Sequence, residues 1–436
     1  MGYNIKILNC NGLCGSCYET KIRDRVGFKK YDIDKILKRL REESNKVSKD
    51  DRNDRKKRAT PCFHGGEPML VPIEDFNKIL ETTYELWGRT TIQTNGLLLT
   101  EKHIDIFKQF QTHIGFSLDG DTSKLNFGRW NSRFVPVNEI EEGTKLVLQN
   151  MKKCSDAGLS ISVISVLRQY NASKESLPEF IKFLLRLKNE FNCTSVRTNE
   201  GVVYDKKKFP YEELDSGSLG YSFSVLSDTC FSDPALDWQP YRDVVDLMLG
   251  HMQQTCVFTE CDIWKTSSET TIDEEGNLGN CLKGGGAIDG IQVLAADSYA
   301  SERYLALAQT PQAFGGCKDC KFWMICKGGC PGEAIDDDWR NKTRFCLAWK
   351  TLFSHIENKI IGLFPNMLTL SGNKLFPSPA VAVANLMPGG SSWRSDRRLT
   401  ENQLKTIKDG KSLNSTLSPY KDCPHGDHTD RVKAGV

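Results

Sequence analysis

The chain has 436 residues, 58 basic and 56 acidic, for a net charge of +2; its length allows two or three domains, and its charge gives no reason to expect nucleic acid or an anionic membrane as partner. The N-terminus, MGYNIKILNC, has no apolar stretch behind a basic start, and no segment approaches the ~20 apolar residues of a membrane span, so a soluble, cytoplasmic protein is expected. Sixteen cysteines in such a chain point to metal or cluster ligation before disulfides.

Short apolar runs alternate with helical periodicity through residues 1–200, which reads as a chain of βα units around a parallel sheet. Strands are expected over 5–8, 60–63, 90–93, 114–118, 160–167 and 195–198, and helices over 32–43, 73–86, 101–110, 137–157 and 177–191. The expected fold class is therefore α/β, a partial (β/α)6 TIM-like barrel with its functional groups at strand C-terminal ends. Residues 44–58 are rich in mixed charge and read as a solvated extension of the first helix or a loop, with peptide docking as a weaker alternative. Residues 201–255 read as a bridging region with helix near 241–252, and 256–350 as a cysteine-rich module. A helix over 348–363 closes that module, and 351–436 comprises the rest of this helix and a Gly-, Pro- and Ser-containing tail that is expected to be only partly ordered.

Eleven of the sixteen cysteines fall into two groups. Cys10, Cys14 and Cys17 form C-x3-C-x2-C directly after the first expected strand. Three thiolates on one short loop can ligate three irons of a cubane cluster and leave the fourth without a protein ligand, which is a place for chemistry. Taken alone, the spacing also fits a zinc knuckle or three buried cysteines. Cys62, Cys154, Cys193, Cys230 and Cys423 lack ligand spacing and read mainly as small buried hydrophobes. Cys423-Pro-His425-Gly-Asp-His428 has a metal-like composition, within a polar tail.

The first group, with motifs in matching order behind it, resembles the radical S-adenosylmethionine (SAM) enzymes. Gly65-Gly66-Glu67-Pro68 follows the second strand like that family's GGEP loop, Thr94-Asn95-Gly96 ends the third strand, Ser117-Leu118-Asp119-Gly120 ends the fourth, and Arg168 ends the fifth. The resemblance implies that the open iron chelates the methionine moiety of SAM and that Gly65, Gly66, Glu67 and Pro68 bind its amino group. It places Thr94, Asn95, Ser117 and Asp119 near the ribose and Arg168 near the carboxylate. One departure is Ser16, where the family usually has an aromatic residue; Tyr18 stands on the other side of Cys17.

The second group comprises Cys256, Cys261, Cys281 (as G-x4-C from Gly276), Cys317, Cys320, Cys326, Cys330 and Cys346. It resembles the SPASM extension of radical enzymes, which binds two auxiliary four-iron clusters. The resemblance gives Cys256, Cys261, Cys281 and Cys330 to the first and Cys317, Cys320, Cys326 and Cys346 to the second, for three [4Fe-4S] clusters in all. A pair of zinc ribbons on a binding scaffold is the competing reading of these spacings.

Relatives of this type commonly modify peptides, which implies hydrogen abstraction by a 5′-deoxyadenosyl radical from a ribosomally synthesised precursor peptide. The outcome would be a crosslink, an epimer or an excised fragment. An external one-electron reductant is implied, together with leader recognition by a separate protein, by residues 44–58 or by the tail. Formylglycine formation on a sulfatase is the alternative, although that type usually has Asp after the cysteine matching Cys281, where this chain has Leu282.

Overall fold

The computed structural model describes residues 2–7, 9–12, 14–17, 30–46, 60–129, 140–203, 213–233, 236–249, 269–279 and 301–363. Its centre is an open sheet in the order β7-β6-β5-β4-β3-β2-β1-β8-β9. The strands are β1 (Gly2–Ile5), β2 (Cys62–Phe63), β3 (Thr90–Thr94), β4 (Thr112–Ser117), β5 (Ile161–Leu167), β6 (Cys193–Glu200), β7 (Asp237–Gln239), β8 (Glu269–Ile272) and β9 (Leu278–Gly279). Every pairing is parallel except β8 with β9. The result is a mixed α/β fold whose sheet does not close, a partial TIM-type barrel.

Helices α1 (Ile33–Lys46), α2 (Ile73–Trp87), α3 (Glu101–Gln109), α4 (Ile140–Asp156) and α5 (Leu177–Phe191) follow successive strands. In α2, Glu74 and Asp75 occupy the first turn, where negative charge meets the positive end of the helix dipole. Phe76, Ile79, Leu80, Thr83 and Trp87 repeat at helical spacing and are buried, and Gly88 ends the helix at φ +74°. In α5, Phe180, Phe183, Leu184, Leu187 and Phe191 do the same, and Asn192 takes the left-handed position at φ +50°. Along β5, Ile161, Val163, Ser165 and Leu167 are buried, while Ser162, Ile164 and Val166 are half-buried, the alternation of a strand with two differently covered faces.

Residues 201–255, expected as a bridge, carry more structure than their sequence suggests. Helix α6 (Ser216–Ser232), β7 and helix α7 (Tyr241–Met248) lie there, and β7 extends the sheet beyond β6. On the other side, the β8–β9 hairpin joins β1, so the cysteine-rich segment shares the barrel's sheet. Gly276 in the hairpin turn has φ +74°, and a Cβ there would stand 2.7 Å from the Lys35 carbonyl oxygen of α1, so the close approach demands glycine.

Helix α8 (Ser301–Gln309) opens the last described stretch and α9 (Cys346–Leu363) ends it. Trp349 of α9 packs on Phe223 of α6, with ring centroids 4.8 Å apart, and Phe353 packs on Phe322 at 5.4 Å. These buried aromatics fasten the second cysteine group to the barrel. No helix among the described residues is long and apolar enough to cross a membrane.

Candidate active site

The site is built at the C-terminal ends of β1 to β5. After β1 the chain turns through Cys10, Asn11, Gly12, Cys14 and Cys17. The Gly12 amide donates to Cys10 Sγ at 3.3 Å. A Cβ at Gly12 would meet Cys10 Sγ at 3.7 Å and Cys14 Sγ at 3.8 Å, so both sulfurs flank the same glycine. The Cys10 thiol is pushed well up, first by burial and then by Glu67, Cys17 and Cys14, so three thiols and one carboxyl crowd together. Among the described residues no three His, Cys, Asp or Glu side chains converge as ligands of a single ion. The loop's thiols are the donor type that iron–sulfur clusters take.

The GGEP segment is packed directly against this loop. Gly66 has φ +59°, and a Cβ there would lie 2.0 Å from the Asn9 carbonyl oxygen and 2.4 Å from that of Ile7. Only glycine allows that approach. The Glu67 amide donates to the Asn9 carbonyl at 2.6 Å. The Glu67 carboxylate is buried and accepts from Thr94 Oγ1 (2.6 Å), the Asn95 amide (2.7 Å) and the Met69 amide (3.1 Å). Burial pushes Glu67 up to about 7 against these three donors. Gly65 has φ +100° and lies over Lys6, while Pro68 starts a single 3-10 turn. His64 donates its amide to the Ile5 carbonyl at 2.8 Å, and its ring is pushed down to about 3 by burial and then by Lys6.

A second hub forms where β4 and β5 end. Asp119 is fully buried and accepts from Arg129 Nη2 (2.6 Å), Arg168 Nη2 (2.5 Å) and the Val166 amide (2.8 Å). Burial raises its pKa, but Arg129 and Arg168 outweigh that and hold the carboxyl below its ordinary value. Arg168 Nη1 also donates to the Gly128 carbonyl (2.9 Å), which accepts from the Gly15 amide of the cysteine loop (3.2 Å). Ser117 accepts from Gln93 Nε2 at 2.8 Å.

Sequence reasoning missed Arg129, Asn126 and Asn11. Burial lowers the Arg129 pKa, but Asp119, Cys14 and Cys17 raise it more, which puts its guanidinium within electrostatic reach of the cysteine loop. Asn126 braces the turn by accepting from the Asp119 amide (2.8 Å) and donating to the Gly120 carbonyl (2.6 Å). Asn11 lies between two cysteines of the first motif, a signal available in the sequence.

In the second group, Cys317, Cys320, Cys326 and Cys346 line one small cavity of about 20 Å³ with Phe322, Trp323 and Phe353, and Lys342 and Lys350 border it. Cys317 is pushed up to about 11, first by burial and then by Cys346 and Cys320; Cys326 is raised further by burial and by Cys317, Cys346 and Cys320. Cys330 does not line the cavity: Lys327, Gly328 and Gly329, all at positive φ, turn the chain between it and Cys326. Arg303 holds this turn through the carbonyls of Lys327 (3.4 Å), Gly328 (3.5 Å) and Asn341 (3.0 Å). Cys256, Cys261 and Cys281 lie outside the described residues, as does Cys423. Cys154, Cys193 and Cys230 are buried, and burial pushes each thiol up to about 12, as inert core cysteines require.

Residues 4–184 match the radical SAM superfamily model. The chain carries a radical SAM domain and is an enzyme. It is 21% identical over 406 residues to a cysteine-type anaerobic sulfatase-maturating enzyme of Clostridium perfringens, covering 84% of this chain and 96% of that one. It is also 21% identical over 328 residues to a serine-type anaerobic sulfatase-maturating enzyme of Bacteroides thetaiotaomicron, covering 67% of this chain and 75% of the relative. Among solved structures, native anSMEcpe with bound AdoMet and Cp18Cys peptide superposes with a TM-score of 0.62 at 17% identity, covering 83% of this chain and 98% of that chain. Streptococcus suis SuiB bound to precursor peptide SuiA gives 0.54 at 17% identity, covering 80% and 75%. At these identities the likeness to solved structures is one of fold.

Proposed function

We propose that this enzyme is a SPASM-type radical SAM maturase that abstracts a hydrogen from a ribosomally synthesised precursor peptide, in the cytoplasm, and so gives a crosslink, a backbone excision or an epimer. The observation that carries the reading is that Cys10, Cys14 and Cys17 stand on one loop packed against the segment of Glu67. When bound, SAM and the loop's cluster supply a 5′-deoxyadenosyl radical through one-electron reductive cleavage by an external reductant. Cys10, Cys14 and Cys17 hold that cluster. Glu67, fixed by Thr94 and Asn95, accepts from the SAM amino group, and the Gly65-Gly66 backbone lies alongside it. Asp119 keeps Arg168 and Arg129 in place, and the cation excess of this trio suits an anionic partner such as the SAM carboxylate.

Cys317, Cys320, Cys326 and Cys346 hold one auxiliary cluster, and Cys256, Cys261, Cys281 and Cys330 the other, which makes three [4Fe-4S] clusters. Two additional clusters at these cysteines would supply electron-transfer chemistry, which favours an oxidative outcome. The peptide substrate is supported by the fold shared with SuiB, solved with its precursor peptide.

The similarity to the Clostridium perfringens relative along 84% of this chain favours a second reading, formylglycine formation on a sulfatase. Leu282, in place of the Asp usual in that type, weighs against it. Co-expression with a neighbouring precursor peptide and mass spectrometry separates the two. Loss of a hydrogen pair, an unchanged mass in ordinary water with deuterium gained in deuterated water, or excision of a fragment in the peptide supports maturation. An unmodified precursor and a hydrazide-reactive aldehyde on a sulfatase peptide would replace it with the second reading.

A further inference from the structure

Asn11 presents a buried amide donor that no atom of the described residues receives. Its side chain is fully buried, and its Nδ2 has no hydrogen-bond partner among those residues. Which end of the amide is orphaned follows from the surrounding network. The Leu97 backbone amide donates to Asn95 Oδ1 at 3.0 Å, so the Asn95 oxygen faces Leu97 and its Nδ2 faces the other way. That Nδ2 meets Asn11 Oδ1 at 2.7 Å, so Asn11 offers its oxygen to Asn95 and is left with Nδ2. Asn95 is itself pinned, because its amide donates to Glu67 Oε2 at 2.7 Å. The orientation of Asn11 is thus dictated by a chain of bonds running from β3 and the GGEP loop.

A buried donor without a partner costs about 1–3 kcal/mol, so a protein retains one where something absent from the polypeptide accepts from it. Asn11 follows Cys10 directly and precedes Cys14 by three positions. Gly12, the next residue, has both sulfurs within 4 Å of its would-be Cβ. We infer that Asn11 Nδ2 donates a hydrogen bond to a sulfur atom of the cluster held by Cys10, Cys14 and Cys17, and that Asn95 aims it there.

The inference rests on the proposed cluster at this loop. Its consequence is electronic: a donor to a cluster sulfur stabilises the reduced, more negative state and raises the reduction potential. The Asn11-Asn95-Glu67 chain then couples the cluster's potential to the loop that binds the SAM amino group.

The test uses anaerobically prepared full-length protein and the cluster signal that shifts when SAM is added, read by electron paramagnetic resonance. With asparagine labelled by nitrogen-15 in the side-chain amide, pulsed measurements on reduced wild type are expected to reveal a coupled amide nitrogen, lost in Asn11→Ala. Asn11→Ala is expected to make reduction about tenfold less favourable, a shift of about 59 mV to more negative potential. Asn95→Ala, which leaves the donor but frees its aim, is expected to shift it in the same direction by less. A wild-type signal with no amide coupling overturns the inference whatever the variants do, as does an unchanged potential in an Asn11→Ala protein with full iron content. If no signal responds to SAM in wild type, it is the reading of the loop that fails.

Discussion

Replacing Asp119 by Asn removes one charge from the barrel mouth and leaves its shape. Asp119 is fully buried and serves two guanidiniums at once, Arg129 at 2.6 Å and Arg168 at 2.5 Å. Both arginine side chains are nearly inaccessible, at 9% and 3% exposure, so neither can turn to water for solvation. The substituted side chain would still accept from the Val166 amide through its remaining oxygen but would remove the carboxylate that pairs with both buried cations. Breaking a buried pair from one side costs about 3–5 kcal/mol, a large part of a typical domain stability of about 5–15 kcal/mol. Urea unfolding followed by far-ultraviolet circular dichroism reads the loss as a lower midpoint at unchanged slope. The pH dependence has a definite sign. The folded carboxyl lies below its ordinary value, so its contribution is present above the unfolded pKa, about 3.9, and is lost as pH falls through the folded value. The gap between wild type and Asp119→Asn therefore narrows in acid. A variant within about 1 kcal/mol of wild type at neutral pH would refute the claim that this carboxylate holds the two arginines.

Gly66→Ala forces a Cβ within 2.0 Å of the Asn9 carbonyl oxygen and 2.4 Å of Ile7's; together with about 1–3 kcal/mol of left-handed strain, this should displace the cysteine loop, and iron analysis should find about four irons fewer. An unchanged iron count would mean that the GGEP loop does not set the position of the cysteines. Replacing Cys317 and Cys346 together by Ala is expected to remove about four irons while 5′-deoxyadenosine formation persists without peptide product. Loss of all iron, or of none, would show that the cavity's four thiols are not one independent site.

Much of the barrel was legible because strand and helix periods are strong where a sheet is covered on both sides. Five of the six expected strands are present with ends moved by a few residues, and the first, expected over 5–8, lies at Gly2–Ile5 and shares only Ile5 with the expected range. β2 contracts to Cys62–Phe63, and β6 lengthens to Cys193–Glu200 because it pairs along the whole of β5. What the sequence hid has physical reasons. β7 spans three residues, and β8 reads Glu-Thr-Thr-Ile, too short or too polar for alternation to register. Helix α6 is rich in Ser and Gly, and its Gly220 lies close against Thr351 and Ala348 of α9. Such close helix packing needs small residues and yields little apolar pattern. In the site, the cysteines and the GGEP glycines were readable because ligand spacing and positive φ each demand a residue type. Arg129 and Asn126 were not, since their partner Asp119 comes near only through the fold of a turn.

On the proposed function, Cys10, Cys14 and Cys17 carry a SAM-cleaving cluster, and two more clusters lie in the C-terminal module. Metal analysis of anaerobically prepared protein, with 5′-deoxyadenosine measured after adding SAM and a reductant, tests it most directly. The expected result is about twelve irons per chain and deoxyadenosine formation, falling to about eight irons and none when the three cysteines are replaced together by Ala. About two zinc ions per chain with little iron and no deoxyadenosine would contradict it.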